Sequence, residues 1–397
     1  MKADALVPSP IFLDVSELVL HPLRTGIQRV EREIIRLWPG PSPLIPCRID
    51  PASGDFVRLS PAVFDILQSS ASQPADVERA LLRPHLEAGE PVSRPELSAG
   101  LFNAEVYYDP ARAKAYRALC RQPNAKVSWL LYDFLPFLQP QDYPPGAIKN
   151  CMHYLWALRE IPRVSFISEH TQIDYSTRIM RDPKRTGPHF SLGGDSFGAR
   201  RPRFRPGNAR FAYIGTIEPR KNVAIILRAF ERLWAQGVDA KLTIVGRMDN
   251  RSTLEPAMLK RLQGDARLRY LEHADDATVR DVLQRARATL FVSRIEGFGI
   301  PPYESLAAGI PVIASPGLPS LERLPPGGRI TLSEITPDSV ATAVMDLLDD
   351  DKAARLWEEA ARLDIPTWQD FVGRIAAWLH EPGHGAAASQ CPKSQPQ

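Results

Sequence analysis

The sequence has little of what would place it outside an ordinary globular fold. Cysteine is scarce, and Cys47, Cys120, Cys151 and Cys391 show neither paired metal spacing nor disulfide density. That excludes a small disulfide-stapled scaffold and fits a reducing compartment. No apolar run approaches the ~18 residues of a membrane-spanning candidate. No basic-then-apolar leader opens the chain. The expectation is a cytoplasmic protein, with peripheral contact at the inner face of the membrane left open. Charge of one sign is not in excess: 49 Lys+Arg against 46 Asp+Glu leave a net +3. Composition therefore gives no argument for a nucleic-acid partner. The eight histidines lack ligand spacing. No Gly-x-Gly-x-x-Gly follows a strand with an acid ~20 residues on, which argues against a dinucleotide enzyme.

What is present is a long, well-patterned chain. At 397 residues, 44% hydrophobic and 24% charged, it can build two cores. Short apolar runs alternate with helical patterns from Arg210 onward: strands at Arg210–Gly215, Lys241–Gly246, Leu268–Leu271, Thr289–Val292 and Val312–Ala314, with helices between them. The first half repeats the theme less clearly. A strand starts at Ile11, an amphipathic helix runs to about Trp38, and strands follow at Leu101, Val127–Tyr132 and Arg163–Ser168. A helix is expected over Met152–Arg159, and Ser69–Asp76 reads as a loop. Alternation of this kind predicts an α/β protein with two doubly wound parallel sheets. The expected division is a first domain over 1–198, an Arg/Pro-rich linker over 199–209 and a second domain over 210–366. A terminal helix at 367–380 and a disordered tail at 381–397 complete it.

The stretch from Ala288 to Ala314 holds the most chemistry. It reads as strand, glycine loop, short helix, turn and strand, with Gly297 and Gly299 in the loop and Pro301 and Pro302 at the helix start. Glu296 and Glu304 then border the crevice at the strand ends, where open α/β sheets bind ligands. The amides of Phe298, Gly299 and Ile300 lie between them at a helix N-terminus and suit a phosphate. Carboxylates flanking an anion site suggest sugar or ribose hydroxyls, hence a nucleotide sugar. A second loop, Gly215-Thr-Ile-Glu-Pro-Arg220-Lys221, ends one strand and starts the next helix with two cations suited to a diphosphate. Gly26, between the first strand and its helix, could let a helix N-terminus approach donor phosphates. Asp133 sits at the end of the Val127–Tyr132 strand, where a ligand contact and a turn or cap role are both open. Glu169 is read as a helix-capping acid and His170 as structural. Asp349–Asp351 formally matches a metal-binding Asp-x-Asp but lies at the end of a helix, so it reads as a solvated helix end and not a metal site.

The run Glu296-Gly-Phe-Gly-Ile-Pro-Pro-Tyr-Glu304, followed by Ala-Ala-Gly309-Ile-Pro-Val-Ile-Ala, resembles the Glu-x7-Glu signature of glycosyltransferase family 4. That family comprises retaining enzymes of the GT-B fold, with two Rossmann-like domains facing a central cleft. The Gly215–Asn222 loop is similar to the family's diphosphate loop. Thr25-Gly26-Ile-Gln-Arg-Val resembles the N-terminal loop of a branch that builds bacterial surface polysaccharide, and Tyr132-Asp133-Phe-Leu-Pro136 resembles a segment facing the cleft from the acceptor side.

The resemblance implies a metal-independent hexosyltransferase without a cofactor. Its donor would be a GDP- or UDP-linked sugar, with mannose or rhamnose as candidate sugars. Its acceptor would be a growing, lipid-linked glycan of the lipopolysaccharide O-antigen kind. Arg220, Lys221 and Glu296 would serve catalysis. Gly26, Gly215, Gly297, Phe298, Gly299, Ile300 and Glu304 would complete the donor site, with Asp133 on the acceptor side. The alternatives from the same residues are a nucleotide-sugar epimerase, a phosphorylase, or a non-catalytic sugar- or partner-binding protein on this scaffold.

Overall fold

The computed structural model describes residues 9–70, 73–197 and 202–381. Parts of the expected linker and nearly all of the expected tail, Cys391 included, lie outside the described residues.

The first half forms a seven-stranded sheet: β1 (Ile11–Asp14), β2 (Leu44–Ile49), β3 (Phe56–Arg58), β4 (Glu90–Pro91), β5 (Leu101–Asn103), β6 (Val127–Leu131) and β7 (Arg163–Phe166). Their order is β4-β3-β2-β1-β5-β6-β7. The five strands from β2 to β7 pair in parallel, and β3 and β4 add an antiparallel edge. That edge departs from a purely parallel expectation. It arises from two very short strands in the weakly patterned stretch between residues 50 and 100. The same stretch contributes helices Ala62–Ser69 and Ala75–Glu87, which confine the expected loop to a short connection.

The second sheet contains β8 (Arg210–Ile214), β9 (Lys241–Val245), β10 (Leu268–Leu271), β11 (Ala288–Phe291), β12 (Val312–Ala314) and β13 (Arg329–Thr331). Its order is β10-β9-β8-β11-β12-β13, and every pairing is parallel. All four residues of β11 and all five of β6 are buried. Helices cover both faces of such strands, so their sequences are continuous apolar runs without alternation.

The order reverses between β8 and β11. Their carboxyl ends flank the topological switch point, the usual place for a ligand in an open sheet. The two loops singled out in the sequence, at Gly215–Asn222 and Ser293–Gly299, emerge there.

The final helix, Trp368–His380, returns to the first sheet's side. The side chain of Thr367 accepts from the amide of Asp370, and that of Asp370 reciprocates, a capping box that fixes where the helix begins. Phe371, Val372 and Ile375 are fully buried. Trp378 meets Phe102 edge-on and accepts a 2.6 Å hydrogen bond from Arg163 at its carbonyl. Asp349 stands exposed at the end of the Pro337–Leu348 helix, as the sequence suggests, and also caps helix Asp350–Arg362. It accepts from the Lys352 amide, and Asp350 pairs with buried Arg287 at 2.7 Å.

Candidate functional site

Two helix starts meet across the cleft. The Gly26–Leu37 helix is capped by Thr25, whose hydroxyl accepts from the Gln28 amide. The Ile300–Ala307 helix begins after Gly299, which has φ +94°. A side chain resists that left-handed backbone, so glycine is needed at the turn that aims the helix. A Cβ on Gly26 would lie 3.5 Å from the Ile300 side chain. The positive ends of two helix dipoles therefore converge on one volume. Among the described residues, none of the amides of Phe298, Gly299 and Ile300 donates to a protein acceptor.

The Gly215 loop brings its cations to the same edge. Gly215 ends β8, and a short turn at Pro219–Lys221 lifts Arg220 and Lys221 to the mouth of the sheet. Asn222 holds the turn in place through its side-chain amide, which donates to the Val292 carbonyl at 2.9 Å. Arg220 Nη1 lies 2.7 Å from Glu296 Oε2 and donates to the Ile295 carbonyl at 2.9 Å. Its Nη2 lies 2.8 Å from Glu218 Oε1. Lys221 Nζ stands 3.9 Å from both Glu218 and Glu296. Burial works against the charges of Arg220 and Glu296. Neighbouring charges outweigh it: Glu296 and Glu218 raise the guanidinium's pKa, and Lys221 and Arg220 lower the carboxylate's. Both are thus held ionised in a nearly dry place, where a charge developing on a ligand would feel them strongly.

Glu304 lies on the first turns of the Ile300–Ala307 helix and is 3% exposed. Its Oε1 is 2.7 Å from Nη1 of Arg29, on the first turn of the opposite helix. Burial raises the Glu304 pKa, and Arg29 opposes the rise. Beside the pair, Phe197, Ile214, Phe291 and Pro302 line a shallow recess that Glu304 borders. The recess offers apolar walls and one carboxylate, a combination suited to a ribose and the edge of a base.

Asp133 leaves β6 and approaches the glycine loop from the other side. A Cβ on Gly297 would come within 2.7 Å of Asp133 Oδ2. Only glycine leaves room for this carboxylate. Burial raises its pKa, while the Leu135 amide and Arg220 pull it down. Ser168 caps the helix starting at Glu169 and also donates to the Gly297 carbonyl at 2.8 Å. Glu169 opens that helix and lies 3.6 Å from Arg323, while the His170 ring is 3.2 Å from Glu322.

The structure thus collects Gly26, Asp133, Gly215, Arg220, Lys221, Glu296, Gly297–Ile300 and Glu304 around one cleft. Sequence reasoning assigned no role to Arg29, Glu218, Arg251, Arg294 or Asp142. Arg251 lies 3.1 Å from Glu218 and donates to the Asp142 carbonyl, and Arg294 pairs with the Asp142 carboxylate. Arg29 and Glu218 stand inside motifs already quoted, and that adjacency was the only available signal. Arg251 follows β9 in a turn with no motif. Among the described residues, no group of three or more His, Cys, Asp or Glu gathers as a metal site.

Part of the chain is similar to known sugar-transferring proteins. Residues 199–364 match the family model described as glycosyl transferases group 1. Over 361 residues the chain is 27% identical to the serotype-specific mannosyltransferase WbdA of Escherichia coli, covering 85% of this chain and 41% of WbdA. It is 33% identical over 185 residues to glycogen synthase of Mycobacterium tuberculosis, covering 45% of this chain and 44% of that protein. The chain therefore spans less than half the length of these curated relatives. Among solved structures, HepE of Anabaena in complex with UDP and glucose superposes with a TM-score of 0.63 at 14% identity, over 94% of this chain and 99% of that one. WaaG, a glycosyltransferase involved in lipopolysaccharide biosynthesis, gives 0.59 at 13% identity, over 94% and 100%. The fold is of the GT-B type, two sheet domains facing a cleft.

Proposed function

We propose that this chain is a retaining glycosyltransferase of family 4 type. It moves a sugar, mannose in our reading, from a nucleoside diphosphate sugar to a growing, lipid-linked surface-polysaccharide glycan. The observation that carries the reading is the Arg220–Lys221–Glu296 cluster at the switch point of the second sheet, facing two converging helix N-termini. The group 1 match over this half and the mannosyltransferase relatives support it.

In this reading the donor diphosphate lies between the 298–300 amides and the Arg220–Lys221 pair. These cations and dipoles neutralise the charge that develops as the glycosidic bond breaks, a preorganised environment that needs no metal. Glu296 orients the sugar ring through its hydroxyls while keeping Arg220 fixed. Glu304 accepts the ribose hydroxyls. Asp133, from the first sheet, faces the acceptor. The Ser168–Gly297, Arg29–Glu304 and Asp142–Arg294 contacts hold the cleft shut against water. The protein acts at the inner face of the membrane, where a lipid-linked acceptor is exposed.

The test is a thermal-shift panel of nucleoside diphosphates and their sugars, with and without EDTA. Stabilisation of a few degrees by one base, unchanged by EDTA, is expected. Absence of any shift would favour the non-catalytic scaffold.

A further inference from the structure

The helix Ala147–Leu158 buries Cys151, Tyr154, Ala157 and Leu158. Its opposite side should be polar. Instead Ile148, Met152 and Trp156 recur at every fourth position and are 37%, 48% and 45% exposed. Positions so spaced form a single stripe along a helix. Lys149 and His153 run beside the stripe and are also exposed.

The neighbouring helix, Pro110–Cys120, packs against this one and exposes Lys114. Neither helix contains an aspartate or glutamate. Arg117 places its guanidinium 3.4 Å from the centre of the Trp156 ring. The acid that follows the first helix, Glu160, is engaged by Arg117 and, at 3.4 Å, by Arg121, and the acid before the neighbouring helix, Asp109, caps it by accepting from the Ala111 amide. The face is therefore an apolar stripe rimmed by cations, with its adjoining carboxylate already matched.

We propose that this face seats the protein on an anionic lipid surface. An amphipathic helix with large apolar side chains on one stripe and cations beside it lies in the plane of a bilayer interface. Indole is at home there, with its ring among the headgroups. The charge argument selects a bilayer with anionic lipid, because each exposed cation adds attraction near such a surface. A purely anionic partner such as a polyphosphate would leave Ile148 and Met152 uncovered.

The placement has a consequence for the cleft. This helix begins shortly after Asp142, which grips Arg294 and Arg251 of the second sheet. The charge of Asp133 reaches Cys151 on its buried side. Docking through the stripe therefore sets the segment that follows Asp142 near the headgroup plane, while Cys151 and the buried Asp133 carboxylate stay on the far side of the helix. The inference deepens the proposed use of a lipid-linked acceptor. Its test needs no turnover, so the two can fail separately.

The experiment is co-sedimentation of the full chain with phosphatidylcholine vesicles, with and without phosphatidylglycerol. Wild type is expected to pellet with the mixed vesicles, less so as salt rises, and to stay in solution with phosphatidylcholine alone. Met152→Ser and Trp156→Ser should each weaken partitioning about tenfold through lost apolar burial. Lys149→Glu should weaken it several-fold. All three variants should keep the wild-type melting temperature within a few degrees. The proposal is overturned if wild type ignores anionic vesicles at low salt, or if the variants pellet as wild type does. It is also overturned if Trp156→Ser dissociates a self-associated form in sedimentation velocity while vesicle binding is unchanged. The stripe would then be a protein interface.

Discussion

Arg29 and Glu304 stand 2.7 Å apart although they are separated by 275 positions in the chain. Each lies near the start of a helix, one on each side of the cleft. The carboxylate assigned to the ribose hydroxyls is thus already partnered by the opposite domain. Removing Arg29 leaves a buried acid without its cation and with the Ser196 hydroxyl as partner, which costs stability and raises the carboxyl's pKa further. Arg29→Ala should destabilise the protein, and Glu304→Gln should recover part of the loss. A double-mutant cycle by urea denaturation should return a coupling of about 1–3 kcal/mol. Additive single effects would mean that the pair does not hold the domains together.

Lys221 makes only long contacts, at 3.9 Å to Glu218 and Glu296. Its ammonium is therefore the cation most available to a ligand at this mouth. Lys221→Ala should lower turnover by about 10²–10³ while moving the melting temperature by no more than a few degrees. Steady-state kinetics with the donor identified by thermal shift would check this. Wild-type turnover in a folded Lys221→Ala protein would place the diphosphate elsewhere.

Gly297 has no room for a side chain because Asp133 fills the space. Gly297→Ala should hold the cleft ajar, reduce turnover about tenfold or more and enlarge the radius of gyration in small-angle scattering. Asp133→Gly in that background should restore the wild-type radius, since the side chain that would clash is then gone. A Gly297→Ala protein as compact and active as wild type would contradict the closed geometry.

Beneath the first sheet's edge, Asp14, Glu31 and Glu105 surround one guanidinium, Arg112, and none is more than 1% exposed. Arg112 donates to Asp14 at 2.9 Å and pairs with Glu105. Neither Glu31 oxygen accepts a hydrogen bond from a described residue. Burial raises the pKa of Glu31 well above the carboxylate range, and Glu105 adds to the rise. Burial likewise lifts Glu105 to about 7, against the pull of Arg112 and with help from Asp14. The unfolded carboxyls titrate near 4.5. Folding therefore takes up protons across this interval. Stability from the protonated carboxyls is complete below pH 4.5 and is lost as pH rises through 7. Chemical denaturation should show a decline of about 3 kcal/mol over that window for Glu105. Glu105→Gln, which is neutral at every pH, should flatten the profile over this window. A profile unchanged by Glu105→Gln would assign the titration to another group.

The elements that were legible in the sequence share a cause. Strands whose centres are buried on both faces are mostly apolar, so β6, β8, β9, β11 and β12 announce themselves as short, largely apolar runs. The loops at their carboxyl ends carry residues with a local reason to be there, such as Gly299 at a left-handed turn. The misread parts lack such local reasons. β3 and the edge strand β4 are too short to show a period. The helix expected from Met152 starts at Ala147, because its entry is set by Gly146 at φ +89° and not by a polar cap.

The sequence by itself determined the two-sheet architecture, the switch-point loops and the identity of the Arg220, Lys221, Glu296 and Glu304 side chains. These follow from spacing along one chain segment, where backbone geometry and burial impose a period. Only the tertiary structure decided what faces them. That Arg29 meets Glu304, that Asp133 leaves no room beside Gly297, and that Arg251 and Arg294 reach Asp142 are contacts across the cleft. No local period encodes such contacts. They are fixed by how the two sheets and their helices pack, through a shared apolar cluster and charges whose pairing depends on exclusion from water.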